Sequence, residues 1–383
     1  MRKLYPGLTP KRFLAAGLIV CGILTFNPTA RPQGCVASRG AGLPCTALGH
    51  TDLGLGEPLP PTEGFQADVA YRYLHSHRHF VGDVEQVQRQ TEASQVINHS
   101  DFTDISVSYA FNPRLSATVT FPFSVHDRSQ TLSFTNGAGQ TIGRQRFSTQ
   151  SSGLGDIRAV VDAWMLDPVK PRKGNLLLGL GFSAPTGEKD ATDTFQVRGL
   201  NNTVLAQEKT VDQSIQPGTG GWGIILELYG YHQIVPRLNG YVNGAYTITP
   251  EEKNGVPTYR SNPFEAEMSI ADSYLGRAGF EYLAWPKYGL SLSLGGRVEG
   301  VPVRDLVGGS EGFRRPGYAV SIEPGVSAMY KGWSASLYVP VAVYRNREPS
   351  VPDLEQAAAT GRFNPGDAAF ADYVIMFNLS LHF

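Results

Sequence analysis

The chain ends with the stretch Tyr373-Val374-Ile375-Met376-Phe377-Asn378-Leu379-Ser380-Leu381-His382-Phe383. Successive side chains of a β-strand point to opposite faces, so residues two apart share a face. One face of this stretch is apolar and consists of Tyr373, Ile375, Phe377, Leu379, Leu381 and Phe383. The opposite face is mixed and carries Asp372, Asn378, Ser380 and His382. The pattern predicts a closing β-strand with one apolar and one wettable face.

Similar alternation recurs along most of the chain. Twelve stretches show it: 65–74, 103–111, 115–125, 157–165, 176–182, 222–233, 238–248, 273–283, 290–298, 318–330, 333–343 and 373–383. Most have the length of a tilted strand that crosses a bilayer, about 9–11 residues. The sequence therefore predicts an all-β fold, a transmembrane antiparallel up-and-down barrel of about twelve strands.

The connections between these stretches alternate in length. Five are short: 112–114, 167–175, 235–237, 285–289 and 331–332. Six are long: 75–101, 127–153, 184–220, 250–270, 300–316 and 345–370. Short periplasmic turns that alternate with long extracellular loops are typical of an outer-membrane barrel. A soluble β-sandwich has no reason to sort its loops in this way.

The N-terminal residues predict a secretory signal peptide. Basic residues at 2, 3, 11 and 12 precede an apolar run from Phe13 to Phe26. That run is shorter than the roughly 20 residues needed to span a bilayer as a helix. We predict a signal peptide over 1–30, with cleavage as late as 37, an irregular periplasmic segment or plug over 31–63, and the barrel over 64–383.

Composition excludes several classes of protein and leaves one cysteine pair to consider. The formal net charge is −1, so no basic surface indicates nucleic-acid binding. No segment approaches the 18 apolar residues typical of a transmembrane helix. If cleavage follows Ala30, Cys35 and Cys45 both reach an oxidising compartment and can form a disulfide. If it follows Ala37, Cys45 is left alone. The sequence predicts no cofactor and no metal.

If the apolar faces meet lipid, the other faces line the lumen. The charged residues of that parity are Arg72, Asp104, Arg158, Asp162, Glu227, Arg277, Glu281, Arg297, Glu299 and Glu323. A register slip of one residue would turn most of them toward hydrocarbon, at about 2–4 kcal/mol for each Arg near the midplane. They either form a salt-bridged lattice that fills the interior or line a water-filled path. Their mixed signs predict no strong ion selectivity.

Several short motifs resemble a known family. They are Gly153-Leu154-Gly155-Asp156, Ala184-Pro185-Thr186-Gly187-Glu188, Pro217-Gly218-Thr219-Gly220 and Pro324-Gly325. Together with Phe383 they resemble the meta-pathway of phenol degradation family of outer-membrane transporter-like β-barrels. The resemblance covers roughly residues 64–383. It implies a barrel related to uptake channels for fatty acids and aromatic hydrocarbons, and it implies no catalytic residues.

The closing strand carries a second resemblance. It is similar to the last strand of bacterial outer-membrane barrels, whose terminal Phe is part of the signal read by the assembly machinery. This implies that Tyr373, Phe377, Leu379, Leu381 and Phe383 form such a signal. It also implies a Gram-negative bacterium and localisation in the outer membrane.

Two motifs match enzyme signatures in sequence, but the secondary structure predicted around them does not fit those enzymes. Gly308-Gly309-Ser310-Glu311-Gly312 matches the nucleophile elbow, which requires a strand–turn–helix. It lies in a predicted loop between antiparallel strands. The stretch 218–223 matches a dinucleotide fingerprint, which must open a helix. Because it opens a strand here, we interpret both motifs as glycine-rich turns.

The histidines allow two further interpretations. His75, His77 and His79 alternate at the end of the first strand, where residues two apart share a face and can hold a transition metal. A solvated strand end is the simpler interpretation. His126 is predicted at the rim. It is followed by Asp127, the only His–Asp neighbours of the kind found in outer-membrane proteases.

These observations favour a non-enzymatic function. We predict a monomeric channel for facilitated diffusion of a small, apolar or aromatic solute. Its partners would be outer-membrane lipid, the barrel assembly machinery and that solute, with no nucleic acid. The alternatives are a structural or adhesive barrel that acts through its long loops, and a lipid-acting barrel enzyme. Such an enzyme needs a His–Ser or His–Asp pair within hydrogen-bond reach.

Overall fold

The computed structural model describes residues 64–170, 172–260 and 262–383. They form a closed antiparallel barrel with twelve strand positions, which confirms the predicted fold. The first and last strands close the wall, in a register that pairs Gln66 with His382. Phe65 and Phe383 exchange two backbone hydrogen bonds of 3.0 and 2.9 Å at that seam. The predicted signal peptide, the segment 31–63 and the Cys35–Cys45 pair lie outside the described residues.

The wall strands follow one another in chain order. They are β1 (Gly64–Val81), β2 (Ile97–Asn112), β3 (Leu115–Thr135), β4 (Thr141–Leu154 and Arg158–Trp164), β5 (Gly174–Ser183), β6 (Gly223–Val235), β7 (Leu238–Ile248), β8 (Ser273–Trp285), β9 (Leu290–Val301), β10 (Gly317–Tyr330), β11 (Trp333–Tyr338 and Val341–Arg347) and β12 (Ala368–His382). Each pairs with its neighbours in sequence, so the topology is up-and-down.

Smaller elements occupy the connections. They are a short strand at Val84–Glu85, helix α1 (Gln88–Thr91), the hairpin Thr192–Arg198 with Val204–Thr210, the pair Lys253–Pro257 with Glu267–Ser269, helix α2 (Val351–Thr360), and 3₁₀ turns at Leu200–Asn202, Gln213–Ile215, Pro263–Glu265 and Pro286–Tyr288. Among the described residues, no helix is long and apolar enough to cross a membrane.

The side chains of the wall strands alternate between an outward apolar face and an inward polar face. Outward residues such as Leu180, Phe280 and Leu294 are 61, 57 and 58 % exposed. Inward residues include Arg297 and Glu323, which are 2 and 0 % exposed. This arrangement is the inverse of a soluble barrel, which would place polar groups outside. An outward apolar face suits contact with hydrocarbon.

The connection between β3 and β4 differs from the prediction. Residues 127–153 were predicted as a long loop, but β3 continues to Thr135 and β4 begins at Thr141. The two strands form a hairpin that extends beyond the apolar part of the wall. Its residues are mostly Ser, Thr, Gln and Arg on both faces. Because an aqueous hairpin needs no apolar face, alternation could not reveal it.

Strand β4 is interrupted at residues 155–157, opposite Pro122 of β3. Proline has no amide hydrogen, so Pro122 cannot donate to the ladder. Its carbonyl still accepts a hydrogen bond of 2.7 Å from the Gly155 amide. Pairing resumes between Thr120 and Arg158. Residues of the connecting loops can therefore reach the wall at this level.

Interior glycines make room for an aromatic ring. Tyr241 of β7 lies across Gly279 and Gly295 on the two following strands. A Cβ at Gly279 would lie 2.9 Å from the Tyr241 hydroxyl, and one at Gly295 would lie closer still. An alanine at either position would displace the ring. The glycines thus allow Tyr241 to lie flat against the inner wall.

Candidate functional site

Four charged residues form a network inside the barrel, here called the charged lattice: Arg277, Arg297, Glu299 and Glu323. Glu323 accepts hydrogen bonds from Arg277 Nε at 2.6 Å and from Arg297 Nη1 at 3.2 Å. Arg297 Nη2 donates to Glu299 at 2.7 Å. Two cations and two anions balance one another. Pairing and hydrogen bonding offset much of the cost of burying these four charges.

Aromatic rings pack around the charged lattice. The Arg277 guanidinium lies 4.7 Å from the centroid of the Tyr338 ring and 5.7 Å from that of Tyr241. Tyr338 is 4 % exposed. These rings shield the ion pairs from water and contribute cation–π attraction. The result is a densely packed region on the β7–β11 side of the interior.

The ten charges predicted to face inward are placed as follows. Arg72, Arg158, Asp162, Glu227, Arg277, Glu281, Arg297, Glu299 and Glu323 are buried, and Asp104 is partly buried. Arg158 donates to Asp104 at 2.7 Å, and Glu281 accepts from the Ser327 hydroxyl at 2.9 Å. A Cβ at Gly179 would lie 2.5 Å from Asp162 Oδ1, so the glycine makes room for that carboxylate.

A cavity of about 180 Å³, here called the outer cavity, lies within the barrel at the end that carries the long loops. Its apolar lining includes Phe102, Ile225 and Val301, and its polar lining consists largely of Ser, Thr and Gln side chains. A water molecule needs about 10–15 Å³ of such space, so the cavity has room for about a dozen waters. This size suits one small solute.

Three of the motifs found in the sequence meet beside the outer cavity. Asp156 accepts hydrogen bonds from the Gly187 amide at 3.1 Å and from the amide and hydroxyl of Thr219 at 2.8 and 2.7 Å. A Cβ at Gly187 would lie 2.7 Å from the Gly218 Cα and 2.9 Å from the Gly155 Cα. Only glycine permits this approach. The motifs therefore fasten two loops to the interruption in β4.

A second ionic cluster joins the loops above the cavity. Arg315 donates to both oxygens of Asp212 at 2.8 and 2.7 Å, and Arg128 lies 3.3 Å from the same carboxylate. Burial acts to raise the pKa of the Asp212 carboxyl, but the two guanidinium groups outweigh it and hold that pKa well below its usual range. Asp212 therefore stays ionised at neutral and mildly acidic pH, and the loops stay joined.

Among the described residues, Ser100 and His126 form a His–Ser pair of the kind that an enzyme would need. Ser100 Oγ lies 2.7 Å from His126 Nδ1. His126 borders the outer cavity, but Ser100 does not. The Ser100 side chain is 0 % exposed, so no substrate carbonyl reaches its hydroxyl. The pair ties β2 to β3. His126 was predicted at the rim, but it is buried.

The histidines of β1 do not form the predicted row. His75 and His77 face outward and stack at 4.7 Å, whereas His79 is buried and lies 2.9 Å from Asp367. A register shift between Ser76 and Arg78 separates them. The third ring on the outer patch is His99 of β2, which stacks on His75 at 4.2 Å. Among the described residues, no group of three side chains is arranged to hold a metal.

The fold resembles that of solved outer-membrane proteins. The crystal structure of an outer membrane channel from Pseudomonas putida F1 matches with a TM-score of 0.52 and 11 % identity, over 84 % of this chain and 96 % of that chain. The CymD monoaromatic hydrocarbon channel matches at 0.44, with 10 % identity over 92 and 98 %. The P. putida toluene transporter TodX matches at 0.43, with 10 % identity over 84 and 90 %.

No protein-family model and no curated protein matches the sequence. The first structural match supports an outer-membrane type of barrel. The specific resemblance to the meta-pathway of phenol degradation family stays a prediction.

Sequence reasoning missed some residues that shape the site. Phe102 has the same inward parity as Asp104, but the residues predicted to line the lumen were all charged. An aromatic residue on an otherwise polar strand face is the sequence feature that could have indicated its place in the site. Asp212 and Arg315 lie in loops without periodicity, 103 residues apart. Their pairing carries no local signal.

Proposed function

We propose that this protein is a monomeric outer-membrane channel that passes a small, apolar or aromatic solute by facilitated diffusion. The proposal includes no cofactor and no covalent step. It places the outward apolar face in lipid and the long loops outside the cell. The closing-strand residues Tyr373, Phe377, Leu379, Leu381 and Phe383 would serve as the signal to the assembly machinery.

The observation that carries the proposal is the outer cavity. It lies inside a closed barrel whose outer face is apolar, and loop residues such as Gln213 and Arg315 border it. Its lining combines aromatic and aliphatic groups with hydroxyls and amides. Concave sites of this mixed character are typical of small-molecule binding. The likeness to the P. putida F1 outer membrane channel agrees with this assignment.

The ten inward charges divide between two roles in this proposal. Arg72, Asp104 and Arg158 border the outer cavity, and the other seven do not. The three would contact the solute. The charged lattice would instead narrow the barrel near the middle of β8, β9 and β10, because its groups are committed to one another. Wide hydrated solutes would then be excluded.

The proposal is tested by the uptake of radiolabelled toluene into proteoliposomes whose outer leaflet is lipopolysaccharide, a poor route for apolar solutes. We expect toluene to enter faster than into protein-free vesicles, and glucose to show no such difference. Equal rates of toluene entry with and without folded protein would contradict the channel. Rapid entry of glucose would instead indicate a wide aqueous pore.

One observation favours the alternative of an adhesive barrel. The hairpin Thr192–Thr210 projects from the long connection after β5, and Leu200 at its tip is 89 % exposed. An exposed apolar tip suits contact with another surface. Replacement of the hairpin tip by a short glycine–serine turn separates the two functions. A channel keeps its toluene uptake, whereas an adhesive barrel loses its binding to surfaces.

A further inference from the structure

Three residues border both the outer cavity and a second, deeper space. Arg72, Phe102 and Asp104 belong to the lining of each. The deeper space, here called the inner pocket, measures about 20 Å³ and includes Ala70, Met376 and the ring of Tyr338 in its lining. It therefore has room for about one water molecule. The three residues therefore lie between the outer cavity and the inner pocket.

Two of the three form a stacked pair across neighbouring strands. Arg72 of β1 pairs in register with Phe102 of β2. The guanidinium carbon lies 4.1 Å from the centroid of the Phe102 ring. Arg72 is 8 % exposed. The His126 ring completes the group in an edge-to-face arrangement with Phe102, with the ring centroids 5.3 Å apart. A flat cation and a flat ring thus face each other at the boundary.

The chemistry of the two spaces differs. Ala70, Tyr338 and Met376 make the lining of the inner pocket mainly apolar, although Ser336 and Asn378 also border it. The outer cavity is bordered by many more hydroxyl, amide and charged groups. A neutral polar solute loses hydrogen bonds at this boundary, because the apolar side offers few replacements. A solute with an apolar ring and one polar group can present each part to the matching space.

The guanidinium groups around the outer cavity differ in their partners. Of the four, Arg158 pairs with Asp104, Arg314 with Asp305 and Arg315 with Asp212, and Arg72 stacks on Phe102. Asp156 is surrounded by amide and hydroxyl donors from two loops. A guanidinium fork binds a carboxylate through two parallel hydrogen bonds, which gives both strength and orientation.

We propose that Arg72 and Phe102 form a selective constriction for planar aromatic solutes that carry a carboxylate. The ring stacks on Phe102 and the carboxylate binds Arg72, so the solute takes over the contacts that the two side chains make with each other. Passage then requires no uncompensated burial of charge. This inference rests on the proposed channel function and narrows its solute class.

Four labelled solutes separate the two contacts: benzoate, cyclohexanecarboxylate, toluene and methylcyclohexane. Equilibrium binding to the full chain and uptake into proteoliposomes are measured for each at pH 8, with protein-free vesicles subtracted. We expect benzoate to bind best. The variant Phe102→Leu should lower benzoate affinity about three- to tenfold while changing cyclohexanecarboxylate little, since aromatic pairing is worth about 0.5–1.5 kcal/mol.

The variant Arg72→Gln should lower the affinity for both carboxylates roughly tenfold or more and leave toluene nearly unchanged, as expected for loss of a charge-assisted hydrogen bond. Phe121→Leu is the matched control, because Phe121 faces outward on β3 and is 38 % exposed. It should leave all four affinities unchanged. Heat-modifiable migration on gels verifies that each variant folds.

The outcomes separate this inference from the proposed function. If the wild type takes up solutes but does not prefer benzoate, or if neither variant alters the preference, the constriction is overturned and the channel stands. If the wild type takes up none of the four, the channel itself is overturned. A loss of affinity for all four solutes in a folded Phe102→Leu variant also overturns the ring-stacking role.

Discussion

Replacement of Glu323 by glutamine is expected to lower the free energy of unfolding by about 3–5 kcal/mol, the usual cost of removing one partner from a buried ion pair. Glu323 is 0 % exposed and accepts hydrogen bonds from both Arg277 and Arg297. Glutamine keeps the shape but not the charge. Two guanidinium groups would then remain buried with only Glu299 to balance them. Urea unfolding of the protein in lipid vesicles measures the change.

The matched control is Glu311→Gln. Glu311 also pairs with a cation, Lys253, at 3.4 Å, but its side chain is 54 % exposed. Exposed ion pairs contribute about 0–1 kcal/mol to stability, so the free energy of unfolding of this variant should be close to that of the wild type. Equal effects of the two substitutions would show that water reaches Glu323. The barrel would then be open at the level of Glu323 rather than filled by the charged lattice.

Replacement of Leu178 by arginine is expected to destabilise the inserted protein by about 2–4 kcal/mol, the cost of an arginine on the lipid face near the bilayer midplane. Leu178 is the fifth of ten residues of β5, faces outward and is 41 % exposed. Its cross-strand neighbours Ala163 and Leu228 share that face. If Leu178 faced water instead, the same substitution would change the free energy of folding little. The equilibrium of folding into vesicles measures the effect.

Leu205→Arg is the control for this prediction. Leu205 lies in the hairpin of the long connection after β5 and is 52 % exposed, more than Leu178. It projects into water if the barrel is oriented as proposed, so its substitution should change the folding equilibrium little. If both variants behave like the wild type, the apolar face of the barrel does not meet lipid.

The wall of the barrel could be predicted from the sequence because its strands obey one simple rule. A strand between lipid and an interior must alternate, so the stretch 176–182 indicated both the strand Gly174–Ser183 and its outward face. The same rule gave the parity of Glu323 and Arg277. It could not tell that these two pair with each other, because pairing depends on the register across β8, β9 and β10.

Other parts of the structure do not follow this alternation and could not be predicted from it. The row of histidines was misplaced because a register shift at Ser76 turns His79 inward, and no residue pattern marks that shift. The glycine-rich motifs were recognised, but their meeting at Asp156 depends on how two distant loops return to the interruption in β4. The strand beyond Val125 was missed because it is polar on both faces. The first two features depend on contacts between residues that are distant in sequence, whereas the hairpin of β3 and β4 is local but has no apolar face.

The most direct test of the account is the single-molecule ionic current of the full chain in a planar bilayer. Polar side chains line the interior from the outer cavity along β2 and β3, where Ser106 and Thr120 share a hydrogen bond of 2.9 Å. We therefore expect a small, steady current from each inserted barrel. A silent bilayer that contains folded and inserted protein would contradict the claim that solutes pass through the barrel interior.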